Sequence, residues 1–101
     1  MNLITKELED RFSKIGSQEN EKDPVFIAKF FNPSGAGAWY ATEYDPDNRM
    51  FFGYVNITEG EWGYFSLDEL LSVKNRFGLK IERDLYFTEK PSSGVIEKYQ
   101  A

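Results

Sequence analysis

Two carboxylates, Glu43 and Glu61, each a few residues from a tryptophan, Trp39 and Trp62, offer this 101-residue chain its nearest approach to bond-breaking chemistry. Paired acids with aromatic platforms for a sugar ring are what carboxylate-based hydrolysis requires. Nothing in the spacing holds these two at a catalytic separation, and no motif with a defined mechanism surrounds them. The sequence contains no histidine and no cysteine. That removes His-ligated metals, thiolate sites, Ser-His-Asp and Cys-His arrangements and the usual general base at neutral pH. An enzyme built here would rely on carboxylates, lysine, tyrosine or serine. Asp45-Pro46-Asp47-Asn48 lacks the glycine and distal glutamate of a calcium loop, and Ser34-Gly35-Ala36-Gly37 lacks the lysine of a phosphate cradle. No metal, no cofactor and no catalytic residue is expected.

The same acids and rings also fit a docking surface. Between Trp39 and Leu70 lie Glu43, Asp45, Asp47, Glu59, Glu61, Asp68 and Glu69 against Arg49 alone, seven charges minus one, or −6, in a chain whose total is −5. An acidic patch framed by aromatics suits a basic groove on a protein partner, including one that normally holds nucleic acid. The plainer reading is that Asp45, Asp47, Glu59 and Glu61 are turn residues and Glu69 a cap. The surplus of acid argues against direct binding of DNA or RNA. No apolar run reaches membrane-spanning length, and with no cysteine the composition suits a soluble, cytoplasmic protein.

The elements that must position these residues are those of one domain. Ile4, Leu8, Phe12 and Ile15 recur at helical spacing between Thr5, an N-cap, and Gly16, a stop, giving a first helix over about 3–15. SQENEKD, 17–23, is unpatterned and reads as a mobile connector. Strands follow at Val25 to Phe31, Trp39 to Tyr44, Arg49 to Ile57 and Trp62 to Phe65, with Gly53 within the third. Ser66-Leu67-Asp68-Glu69 is a capping box that starts a second helix. That helix should bury Leu67, Leu70 and Leu71 and close at Gly78, before a last strand over Leu79 to Phe87. The tail from Pro91, 91–101, is expected to be weakly ordered, with at most one helical turn. The order α-β-β-β-β-α-β predicts an α+β fold, a largely antiparallel sheet of about five strands.

Closing the second and third strands on a turn at Asp45 to Asn48 pairs Tyr44 with Arg49, Thr42 with Phe51, Tyr40 with Gly53 and Trp39 with Tyr54. One face then carries Tyr40, Thr42, Tyr44, Phe51 and Val55, and the other Trp39, Glu43, Met50, Phe52 and Tyr54. Two aromatic faces require covers on both sides or leave a sticky surface. The candidate partner-binding residues are therefore Trp39, Glu43, Phe52, Tyr54, Glu59, Glu61 and Trp62. A homodimer that buries the second face is a further reading.

AKFFNP (28–33), WYATEYD (39–45), FGYV (52–55), WGYFSLDEL (62–70) and GLKIERDLYF (78–87), with the opening LITKEL, together resemble a small bacterial family of unknown function. The family occurs in chromosomes, plasmids, conjugative elements and phages, often near DNA-processing or antirestriction genes. The resemblance covers about residues 3 to 88; the 17–23 connector and the tail after Pro91 match no block. The family has no established activity to carry over; its setting implies, by association, an inhibitory or accessory interaction role, such as inhibition of a host nucleic-acid-binding defence enzyme. The non-catalytic reading rests on the absence of histidine, cysteine and any catalytic motif.

Overall fold

The computed structural model of the chain describes residues 2–74 and 77–100. Its first helix, α1 (Lys6–Ile15), begins where the Thr5 hydroxyl accepts the Leu8 amide at 3.2 Å, with Glu7 and Glu9 in the electropositive first turn. It ends at Gly16, whose φ of 64° suits glycine and whose amide donates to the Phe12 carbonyl. The Thr5 cap and the Gly16 stop match the sequence expectation, while the helix itself starts at Lys6 and not at residue 3.

The strands are β1 (Val25–Phe26), β2 (Ala28–Phe31), β3 (Ala38–Asp45), β4 (Met50–Asn56), β5 (Gly60–Ser66), β6 (Glu82–Arg83) and β7 (Lys90–Pro91). Strands β5-β4-β3-β2-β6 form an antiparallel sheet in that spatial order, and β1 pairs with β7 in a separate ribbon. The single strand expected from Val25 to Phe31 is thus broken at Ile27, whose amide donates to the Ala41 carbonyl while β1 turns off to meet β7. The last strand is shorter than expected, only Glu82–Arg83.

Helix α2 (Leu67–Ser72) starts as the capping residues require: the Ser66 hydroxyl accepts the Glu69 amide at 3.2 Å. It ends at Ser72, well before Gly78, which sits at φ 76° in the turn beyond and does not cap it. Leu67 and Leu70 are buried, but Leu71 points out. Helix α3 (Ser92–Gln100) is the larger departure, since the tail was expected to hold one turn. Its first turn is satisfied from far away in sequence: Asp23 accepts the Ser93 amide at 2.9 Å and both the Ser92 and Ser93 hydroxyls. These bonds, led by the Ser93 hydroxyl, hold the Asp23 carboxyl below the usual carboxylate range.

The β3–β4 hairpin is where the expected register fails. Tyr44 pairs with Phe51 and Asp45 with Met50, so the loop takes in Arg49, which adopts φ 53°. A type I turn alone splays the flanking strands, and one left-handed residue restores their twist. The Asp45 carboxylate organises the loop by accepting the Asp47 amide and the Asn48 side chain. Farther along, the register slips by one between Ala41 and Glu43, with Thr42 as the bulged residue. Beyond the bulge Tyr40 pairs with Tyr54 and Trp39 with Val55. Every side chain from Thr42 back to Ala38 thereby changes face relative to the expectation.

The consequence is two well-sorted cores. On one face α1 lays Phe12 over Tyr44 and Phe51, with Phe30, Phe65, Trp39, Ala41 and Leu70 completing the cluster. On the other, α3 packs Val95 against Tyr40, Tyr54 and Phe26, and the Tyr40 and Tyr99 hydroxyls lie 2.7 Å apart. Burial is the main reason that the Tyr40 phenol is held well above its ordinary pKa. Gly53 belongs to the bulge. A Cβ there would stand 1.7 Å from the Tyr40 carbonyl oxygen, so no other residue fits. No helix among the described residues is long and apolar enough to cross a membrane.

Candidate functional site

Helix α3 covers only part of its face. The margin left over is a ring system on β4 and β5: Phe52 lies 4.9 Å from Tyr64 edge-on and 6.1 Å from Trp62 nearly parallel, and Tyr54 meets Trp62 at 5.7 Å. Tyr64 is 76% exposed and Trp62 41%. They alternate with Glu61, Gly63 and Phe65, so the period of β5 places both rings on one face. Two grooves meet there. One of about 500 Å³ runs under the 17–24 segment past Trp62, and one of about 860 Å³ runs toward the end of α1 and the β3–β4 loop; Glu43, Phe52 and Tyr64 line both.

The segment that walls the smaller groove is not a loose connector, because Gln18 is 5% exposed and uses every polar group it has. Its side-chain amide donates to the carbonyls of Val25 at 2.9 Å and Thr42 at 2.8 Å, while its Oε1 accepts the Val25 amide at 2.7 Å. Its backbone amide donates to Glu43 Oε2 at 3.1 Å. The bulge exposes the Thr42 carbonyl sideways, and Gln18 is the group that satisfies it. Thr42 itself donates its hydroxyl to the Phe52 carbonyl. Connector, bulge and Glu43 therefore form one unit.

Charge is strongly one-sided. The two grooves are lined by Glu9, Glu19, Glu21, Glu43 and Asp45 against Lys22. The Asn48 side chain, first, holds the Asp45 carboxyl below the usual range, so it stays ionised. Arg49 is spent on Asp68 at 2.9 Å, outside the grooves. An aromatic floor with a carboxylate rim attracts cations, since ring faces and acids act in the same direction. Among the described residues no group of three or more acids converges as a metal site would require.

A family model described as "Protein of unknown function (DUF2958)" matches residues 3–99, nearly the whole chain. The chain belongs to the DUF2958 family. No curated protein and no solved structure matches it. The match in this DUF2958 chain runs past Pro91 and takes in α3, although the tail had carried no recognisable block.

The residues singled out from the sequence divide into four groups in the DUF2958 fold. Glu43, Phe52 and Trp62 come together in the groove, as expected. Trp39, 9% exposed, lies in the α1-side core, and Tyr54, 6% exposed, is packed beneath Trp62 and Tyr99, so the bulge and α3 remove both from the surface. Glu59 is exposed in the β4–β5 turn and Glu61 on β5. Glu61 pairs with Val55 and faces the α1 side, opposite to Glu43, so these two carboxylates do not converge on one substrate. Ser66 and Glu69 cap α2 and Gly53 admits the bulge, whereas Gly78 closes no helix.

The sequence reading did not single out Tyr64, Gln18, Glu19, Glu21 or Lys22. Tyr64 is the most exposed ring of the site, and its two-residue spacing from Trp62 in WGYF was the available signal. Gln18, Glu19, Glu21 and Lys22 carried none, because a polar segment shows no period even when one of its side chains is buried.

Proposed function

We propose that this DUF2958 protein is a non-catalytic binding module that docks a basic surface of a protein partner in the acidic, aromatic groove of Phe52, Trp62, Tyr64 and Glu43. The observation that carries this reading is the exposed Trp62–Phe52–Tyr64 ring set beside five acids and one lysine. Exposed clustered aromatics are costly to leave in water unless something covers them, and the rim selects a cation-rich cover. Together with the mobile-element setting that the sequence resemblance implies, this supports inhibition of a host nucleic-acid-binding defence enzyme, whose basic groove the acids would engage in place of phosphates. The action is in the cytoplasm, where such enzymes meet incoming DNA.

Capture from a native host lysate tests the reading when run with the wild-type chain, with Trp62→Ala/Tyr64→Ala and with Glu19→Lys/Glu21→Lys. All four positions are exposed at the surface, and circular dichroism and thermal unfolding check that both variants keep the fold, since Trp62 also packs on Phe26 and Tyr54. A basic protein retained by the wild type, lost with both variants and eluted as salt is raised is the expected result. Equal retention by all three excludes the groove. Trp39→Ala with Glu43→Lys would be uninformative, since one opens the core and the other breaks the Gln18 contact.

A further inference from the structure

Strand β5 is a margin of the sheet: β4 pairs one of its sides, and no strand among the described residues pairs the other. A single bond fixes which backbone groups face that open side. The Leu67 amide donates to the Arg49 carbonyl at 3.0 Å, making Arg49 and Leu67 a hydrogen-bonded pair in the continued register. Such pairs alternate along an antiparallel ladder. Phe51 with Phe65, Gly53 with Gly63 and Val55 with Glu61 are then the bonded pairs, and Phe52 with Tyr64 and Tyr54 with Trp62 are not. The N–H and C=O groups of Trp62 and Tyr64 consequently point away from β4, into the open edge. These are the two residues whose rings are exposed beside the groove.

Soluble proteins commonly blunt such an edge with lysine, proline, a bulge or brevity. Seven-residue β5 has none of these, and its only charged residue is Glu61. Acids also stand on either side of the edge, with Glu59 in the preceding turn and Glu19 and Glu21 across the groove. An acidic edge on a chain of net charge −5 opposes pairing with a second copy and favours a cationic strand. We propose that β5 takes up an extended arginine- or lysine-bearing segment of a protein partner as an added antiparallel or parallel strand. The backbone of Trp62 and Tyr64 supplies its hydrogen bonds. Cationic side chains on one face lie on the Trp62 and Tyr64 rings toward Glu19 and Glu21, and those on the other neighbour Glu61. The inference rests on the binding reading above and specifies its geometry.

The test uses the full chain and an acetylated, amidated octapeptide of alternating arginine and valine, with glutamate in place of arginine as control. Amide exchange is followed by NMR. At ten times its Kd the peptide leaves about a tenth of the chain free, so the Trp62 and Tyr64 amides should exchange about tenfold more slowly. The Gly63 and Phe65 amides, already bonded to β4, should change little. Tyr64→Pro removes the outward N–H without removing a ladder bond, so it should bind the peptide about tenfold more weakly than Tyr64→Ala. Peptide binding with no protection at Trp62 and Tyr64 overturns strand addition while leaving the groove as a docking face. Equal protection by the glutamate peptide overturns the cationic assignment. Protection that rises with protein concentration in the absence of peptide shows a second copy on the edge and overturns the proposal.

Discussion

Replacing Gln18 by alanine should destabilise the fold far more than its place in a polar connector suggests. The substitution deletes three hydrogen bonds and leaves the Thr42 carbonyl, the Val25 amide and the Val25 carbonyl without their partner. The Thr42 bond is buried, and an unsatisfied buried group costs about 1–3 kcal/mol. The two Val25 groups are half-buried, so water recovers part of their loss, and about 0.5–1 kcal/mol each is reasonable. The sum, about 2–5 kcal/mol, is a large share of the roughly 5–15 kcal/mol that holds a domain together. In a domain of this size, at about 5 °C per kcal/mol, it lowers Tm by about 10–25 °C. Urea and thermal unfolding followed by circular dichroism would measure it, with Glu19→Ala as an exposed neighbour expected to fall within about 0.5 kcal/mol of wild type. Gln18→Glu retains the acceptor but loses both donors and sets a charge beside Glu43, so it should be no better than alanine. A Gln18→Ala cost below about 0.5 kcal/mol would refute the claim that this side chain locks the bulge and the groove wall.

Other consequences can be checked independently. Gly53 and Gly63 face each other in the ladder, yet a Cβ meets the Tyr40 carbonyl oxygen at 1.7 Å in the first case and nothing within 4 Å in the second. Gly63→Ala should therefore fold normally, while Gly53→Ala should lose several kcal/mol, of the order seen for severe overpacking, in chemical denaturation. Acrylamide quenching should strike Trp62 strongly and Trp39 weakly; reversed accessibilities in Trp39→Phe and Trp62→Phe chains would contradict the face exchange at Thr42. Acid should release α3. Asp23, Asp45 and Glu89, whose carboxylate accepts the Arg11 guanidinium at 2.7 Å, all have folded pKa values below their unfolded values, so their contributions are complete at neutral pH and are lost as pH falls below about 4. Asp23→Asn should flatten that acid limb in helicity measured against pH, and an unchanged limb would show that Asp23 is not the anchor.

What the sequence made legible was whatever is signalled locally. Thr5, Gly16 and Ser66 act on amides or carbonyls a few residues away, and the ends of α1 and the start of α2 follow from them. Features closed over long separations left no such mark. The α3 cap comes from Asp23, 70 residues from the Ser93 amide it accepts, and the strand break at Ile27 depends on β7. The bulge mattered most for the site. A residue added at Thr42 is invisible to a period-two reading, and it moved Trp39 into the core while leaving Glu43 and Phe52 together. Of the candidate groove, the Glu43, Phe52 and Trp62 portion was readable from strand alternation, and Tyr64 should have been. The Gln18 wall was not, because its value lies in buried carbonyls that only the folded sheet creates.

The central claim is that the Tyr64 side of the sheet meets a basic partner in the cell. Site-specific photocrosslinking tests it most directly, with a benzophenone amino acid placed at Tyr64 and, in a parallel strain, at Tyr86, a 94% exposed aromatic distant from the grooves. The account predicts a covalent adduct with a basic host protein from position 64 and none from position 86. Adducts from position 86 alone, or from neither position, would contradict it.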